Sequence, residues 1–198
     1  MKDVTRNAPA KTLGSNRDLV CAVAWQALSV ITGLIASRAI IADRLIPFGL
    51  SLVAGIPAVY VPAAATGVFL GYFIAPLESG TFRYTTALLA IIALRLLASL
   101  SEKLSKKRLL PAIICLFSSL LTSFLTLRLF NPEITDIFTD ACLAAGGAYF
   151  ISSFFRDYSE ISVCLSADGL VSLFAFLGII LTGLHPFTYG GISVGHIA

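Results

Sequence analysis

Seven apolar runs separated by short breaks occupy most of this chain: Leu19–Ala42, Pro47–Tyr60, Pro62–Ala75, Tyr84–Leu100, Leu109–Phe130, Ile137–Phe155 and Ser166–Leu184. The first is 24 residues long, enough to cross a hydrocarbon core that needs about 20. No small-residue cleavage site follows it, so it reads as a retained transmembrane helix and not as a signal peptide. The last four runs are each long enough to span with some tilt. Pro47–Tyr60 and Pro62–Ala75 have 14 residues each, about 21 Å as helix, short of a core of about 30 Å. The expected fold is therefore all-α: a polytopic transmembrane bundle of five full spans plus a short helical pair, either re-entrant or crossing as two short spans.

Composition points the same way. Residues are 57% hydrophobic and 13% charged, whereas a soluble domain carries about 25% charge. Too little polar surface is left to cover a water-facing globule, which excludes a soluble enzyme and makes the lipid bilayer the first partner. The net charge of +3 is too small for a nucleic-acid binder. Cys21, Cys115, Cys142 and Cys164 show no paired spacing, so they read as small buried hydrophobes and not as a disulfide framework or metal site.

The placement of charge sets the topology. Residues 1–18 form a basic tail with Lys2, Arg6, Lys11 and Arg17, and the stretch SEKLSKKR carries Lys103, Lys106, Lys107 and Arg108. Both belong in the cytoplasm by the positive-inside rule, so an even number of crossings separates them. The short pair must contribute none or two, turning near Val61–Pro62. Three regions follow: a cytoplasmic N-terminal tail at 1–18, a transmembrane helical domain at 19–184, and a Gly-rich tail at 185–198 that reads as the start of a further membrane segment. The basic loop can also attract anionic headgroups at about 1 kcal/mol per residue.

Small residues mark close helix packing. Ala63, Gly67, Gly71 and Ala75 recur every fourth position and include a GxxxG, while Gly146 and Gly147 lie in a second cluster, Ala144–Ala148. Such faces let helix backbones approach closely. The first is expected to pack against the preceding short segment, with homodimerisation or a solute path as alternatives. Arg38, Arg95, Arg128 and Asp140 sit near the ends of apolar runs. Long arginines there can reach the interface by snorkelling, and Arg128 can form an ion pair with Asp140 across adjacent helices. Metalloprotease, P-loop and dinucleotide motifs are absent, and His185 and His196 both fall in the tail. Asp168-Gly169 suits the first turn of a helix opened by Ser166. No catalytic residue, cofactor site or metal site is assigned.

The ordered set Ser37-Arg38-Ala39, Ile46-Pro47-Phe48-Gly49-Leu50, Gly67-xxx-Gly71-Tyr72, Arg83-Tyr84, Phe155-Arg156 and Ser166-Ala167-Asp168-Gly169-Leu170 resembles the N-terminal membrane region of stage II sporulation protein E. The resemblance covers most of residues 30–198. It implies a membrane anchor that localises and oligomerises a cytoplasmic PP2C-type serine/threonine phosphatase at the sporulation septum. In that family the phosphatase acts on a phosphorylated anti-sigma-factor antagonist, and the protein associates with the division protein FtsZ. The phosphatase's metal-binding acidic residues have no counterpart here, so this chain is expected to be non-catalytic; the anchor is expected to be homo-oligomeric, and the Gly-rich tail fits a chain cut short within its bundle, a split gene or a short paralogue. The alternative is a membrane subunit of a small-solute transporter, for which the broken pair Pro47–Ala75 speaks.

Overall fold

The computed structural model describes residues 16–41, 44–45, 47–74, 81–99, 107, 109–130, 134–157, 167–184, 188–189 and 192–193. Among them are seven α-helices: α1 (Asn16–Ala36), α2 (Phe48–Gly55), α3 (Val61–Ile74), α4 (Thr81–Ser99), α5 (Leu110–Phe130), α6 (Ile134–Asp157) and α7 (Ala167–Leu184). A single 3-10 turn, Ala58–Tyr60, joins α2 to α3. The only strands among these residues are two-residue pairs, Ile40–Ile41 with Arg44–Leu45 and Thr188–Tyr189 with Ile192–Ser193, both antiparallel.

Six helices close a ring around the seventh. Each of α1, α3, α4, α5, α6 and α7 packs on the next in that order, and α7 returns to α1. The short α2 lies inside and touches α1, α3, α4, α5 and α6. Every residue from Gly49 to Gly55 is buried. The core is accordingly centred on Leu50, Leu52 and Val53, with Val68, Tyr72, Leu88, Ile91 and Ile151 around them.

Helix directions follow from the contacts. Gln26 Nε2 donates to the Val59 carbonyl at 3.1 Å, Gly33 lies on Ala64, and Gly71 lies on Ser37. These pairings advance together along both segments, so α1 and α3 run parallel. Gly49 sits beside Ser37 and Tyr72, while the 3-10 turn sits beside Trp25, whose ring is 6.4 Å from that of Tyr60. Thus α2 runs back against both. The near end of the bundle then holds the 3-10 turn, the end of α4 and the start of α5, which share a groove. The far end holds the stacked Tyr72 and Tyr84 rings, 5.8 Å apart, and Gly183 of α7 against Ile35.

Several sequence expectations shift. The first apolar run is not helical to Ala42: α1 stops at Ala36, and Ile40 pairs back with Leu45. The turn of the short pair is at Pro57–Tyr60 and not at Val61–Pro62. Pro57 lacks the amide needed to continue α2, whereas Pro62 falls in the first turn of α3, where a missing N–H is harmless. The helical bundle is present, but two of its helices, over Phe82–Ser99 and Ile134–Arg156, are long and apolar enough to cross a membrane. The other apolar stretches, Val20–Ala36, Ala58–Ile74, Leu110–Thr126 and Leu170–Leu184, are shorter.

Candidate functional site

The site is the buried helix α2 and the side chains that hold it. An eight-residue helix has more unsatisfied terminal groups than internal hydrogen bonds, and burial denies those groups water. Its carbonyl end is met by Arg95 of α4, whose Nη1 donates to Val53 O at 2.8 Å and Ile56 O at 2.6 Å. A cation at a helix C-terminus also complements the macrodipole. Arg95 therefore turns inward and does not snorkel, because the Val53 and Ile56 carbonyls at the end of α2 are acceptors within its reach.

At the other end Pro47 supplies no side-chain cap, and its carbonyl accepts from the Leu50 and Ser51 amides. Pro47 and Leu50 share a cavity of about 10 Å³ with Arg83, Tyr84, Ser119, Thr122, Ser123 and Asp140, a space on the scale of one water. Asp140 forms an ion pair with Arg83. Tyr84 joins them: its hydroxyl accepts from Arg83 Nη2 at 2.8 Å and donates to Asp140 Oδ2 at 2.9 Å. The Arg83 guanidinium also lies 4.8 Å from the Tyr84 ring centroid. The buried helix thus has the Arg83–Asp140 pair near its amino end and a single basic group on its carboxyl end.

A third hold is lateral. Ser51 Oγ donates to the Ala144 carbonyl of α6 at 2.8 Å. A Cβ on Gly147 would come within 2.7 Å of Ser51 Oγ, whereas one on Gly146 would meet nothing within 4 Å. Gly55 packs in the same way on Ala148 and Ile151.

The α3 seam faces α1 and not the preceding short segment. A Cβ on Gly67 would collide with the Val30 carbonyl, and one on Gly71 with Ser37 Oγ. Parallel packing places the glycine face of α3 on Gly33 and Ser37 of α1, leaving α2 to the ring interior. Ala63 is half-buried at the rim of that seam and Ala64 is buried in it. Ala75, Lys103, Lys106 and Arg108 lie outside the described residues, as does the side chain of Arg128. Lys107 is exposed, and its carbonyl accepts from the Leu110 amide at the start of α5.

The sequence marks Arg83, Tyr84 and Tyr72 only as part of a resemblance, and gives neither them nor Ser51 a place in a site. Arg83 and Asp140 stand at the start of one apolar helix and within the first two turns of another, which was the available signal. The hydroxyls of Tyr72, Ser118 and Ser119 are buried without a partner among the described residues. Serine and threonine hydroxyls of α5 at Ser118, Ser119, Thr122, Ser123 and Thr126 are all buried, with Thr122 and Thr126 donating to their own helix at Ser118 O and Thr122 O. The outer surface is the reverse: Leu89, Leu97, Leu125 and Phe174 are each more than 60% exposed. No group of three or more metal-ligating side chains occurs among the described residues.

A family model described as SpoIIE, N-terminal domain, matches residues 3–198. No curated protein and no solved structure matches the chain.

Proposed function

The chain belongs to the SpoIIE N-terminal domain family, and from that premise we propose that it is a non-catalytic, multi-pass membrane anchor with a cytoplasmic N-terminus. The observation that carries this reading is the inside-out distribution of polarity. Serine and threonine side chains are buried within the bundle and the Arg83–Asp140 pair is partly buried, while large apolar side chains cover the ring's exterior, and in the Phe82–Ser99 stretch of α4 only 22% of residues are buried. A soluble monomer rarely exposes so large an apolar surface. Five full spans, from α1, α4, α5, α6 and α7, with α2–α3 as a hairpin between them, would bring the basic tail and Lys107 to one face of the bilayer, as the positive-inside rule asks.

The anchor's role is to localise and assemble a cytoplasmic serine/threonine phosphatase at the sporulation septum, as a homo-oligomer and in association with FtsZ. Residues 3–198 match the N-terminal domain of the family, and no residue of this stretch is given a part in the phosphatase chemistry. Against the transporter reading, the carboxyl end of the broken helix α2 is closed by Arg95, and the cavity beside its first turn holds about 10 Å³. A fluorescent fusion of the full chain in a spore-forming bacterium tests the proposal. It should resist alkaline carbonate extraction and concentrate at the asymmetric septum; recovery in the soluble fraction, or a uniform distribution during sporulation, would overturn it.

A further inference from the structure

At the near end, the 3-10 turn, the last turns of α4 and the first turn of α5 enclose an open groove of about 130 Å³. Its walls are Ala58, Val61, Ile92, Leu96, Leu110 and Ile114, with Arg95 as its one charged residue and Ser99 at its rim. A guanidinium carries five N–H donors. In Arg95 the two hydrogen bonds to Val53 and Ile56 both come from Nη1, so Nε and Nη2 keep donors with no partner among the described residues. Lys107, exposed, lies one turn ahead of Leu110. A partly buried cation with donors to spare, set in an apolar groove and followed by a basic segment, selects an anionic amphiphile.

We propose that this groove binds the phosphodiester of an anionic phospholipid, with Arg95 on the phosphate and the first acyl carbons along Leu96, Ile92 and Ile114. The groove is too small for a whole drug-sized solute, which takes about 300 Å³ or more. A lipid needs less enclosed space, since most of its length stays in the bilayer. The occupant is a lipid and not free phosphate, because apolar walls offer a hydrated ion nothing to offset its desolvation. Arg95 would then link headgroup binding to the fixing of α2, through the same guanidinium. This inference rests on the membrane reading above.

The test uses the full chain, purified in detergent and incorporated into nanodiscs of dioleoylphosphatidylcholine with and without dioleoylphosphatidylglycerol, followed by native mass spectrometry of retained lipid. Wild type should retain phosphatidylglycerol at least tenfold over phosphatidylcholine, and inorganic phosphate should not compete. Ala58→Trp fills the groove, and Ser99→Glu places a negative charge at its rim; neither touches the Arg95–α2 hydrogen bonds. Each should reduce the preference at least tenfold while the melting temperature in lipid-free detergent stays at the wild-type value. Equal retention of the two lipids, competition by inorganic phosphate, or an undiminished preference in both variants would overturn the site. Should one variant lower the melting temperature, the other decides. Failure of the wild-type chain to enter nanodiscs at all would instead count against the anchor reading itself.

Discussion

Ser51 and Ala144, 93 residues apart, are joined by a 2.8 Å hydrogen bond from the serine hydroxyl to the alanine carbonyl. The bond crosses from the buried helix α2 to the ring helix α6, and Gly147 one turn further on leaves room for it. A carbonyl already serving its own helix accepts a second donor here through its other lone pair. Specific side-chain to backbone bonds of this kind, together with close glycine contacts, hold helices together where lipid removes the hydrophobic drive between them.

The two adjacent glycines of α6 should therefore behave oppositely. Gly147→Leu drives a side chain into Ser51 and Phe48 and should destabilise the bundle by about 3 kcal/mol. Gly146→Ala meets open space and should be neutral or stabilise by up to about 1 kcal/mol through helix propensity. Ser51→Ala should cost about 1 kcal/mol. Thermal unfolding in detergent micelles reads all three.

Gly67 and Gly71 give a parallel test on the α1–α3 seam. Gly67→Val would place a branched side chain against the Val30 carbonyl, a backbone atom that cannot step aside. The expected loss is about 3 kcal/mol, seen as a lowered melting temperature. Ala63→Val, at the half-buried rim, should fall within about 1 kcal/mol of wild type.

Removing Arg95 should expose what it satisfies. Arg95→Leu leaves the Val53 and Ile56 carbonyls without their partner, and an orphaned buried acceptor costs about 1–3 kcal/mol. A total of about 3 kcal/mol is expected, and Arg95→Lys should restore part of it, since an ammonium can still reach one carbonyl. Hydrogen exchange should concentrate the change in α2; a uniform change along the chain would speak against a capping role.

Asp140 offers a choice of partner. The Arg83–Asp140 pair is partly buried, and hydrogen bonds to charged groups contribute about 1.5–3 kcal/mol, so Asp140→Leu or Arg83→Leu alone should destabilise by about that amount. The exchange Arg83→Asp with Asp140→Arg should recover a measurable part of the stability lost by either single change. The corresponding exchange of Arg128 with Asp140 should recover none, because Arg83 and Tyr84 already occupy the carboxylate. Melting temperatures of these single and double variants decide between the pairings.

Much of the architecture was legible from apolar run length alone: each of the seven runs holds one helix. The enclosure of α2 was not, because its composition is as apolar as that of α3, and nothing along one strand of sequence says which segment the others surround. Arg95 illustrates the same limit. Its position near a helix end suits snorkelling equally well, and what turns it inward is a pair of carbonyls about 40 residues earlier in the chain. The glycines at 67 and 71 announced a close contact but not its partner, which is fixed by the parallel run of α1 and α3. The turn of the short pair depended on which of two prolines ends a helix and which begins one.

That turn carries the last prediction. If α2 and α3 form a hairpin whose tip reaches the near end, then Val59, 71% exposed, lies on the same side of the bilayer as Lys107. The tip shares its groove with Ser99 and Leu110, the end of one helix and the start of the next, so it approaches the surface and does not stop at mid-bundle. Phe82, exposed in the first turn of α4, lies at the opposite end. In a chain whose native cysteines are replaced, Val59→Cys and Lys107→Cys should react with a membrane-impermeant maleimide only from the cytoplasmic face, and Phe82→Cys only from the outer face. Protection of Val59→Cys from both faces would mean that the hairpin ends inside the bilayer; labelling from the outer face would reverse the direction of α2 and, with it, the even count of crossings that joins the basic tail to Lys107.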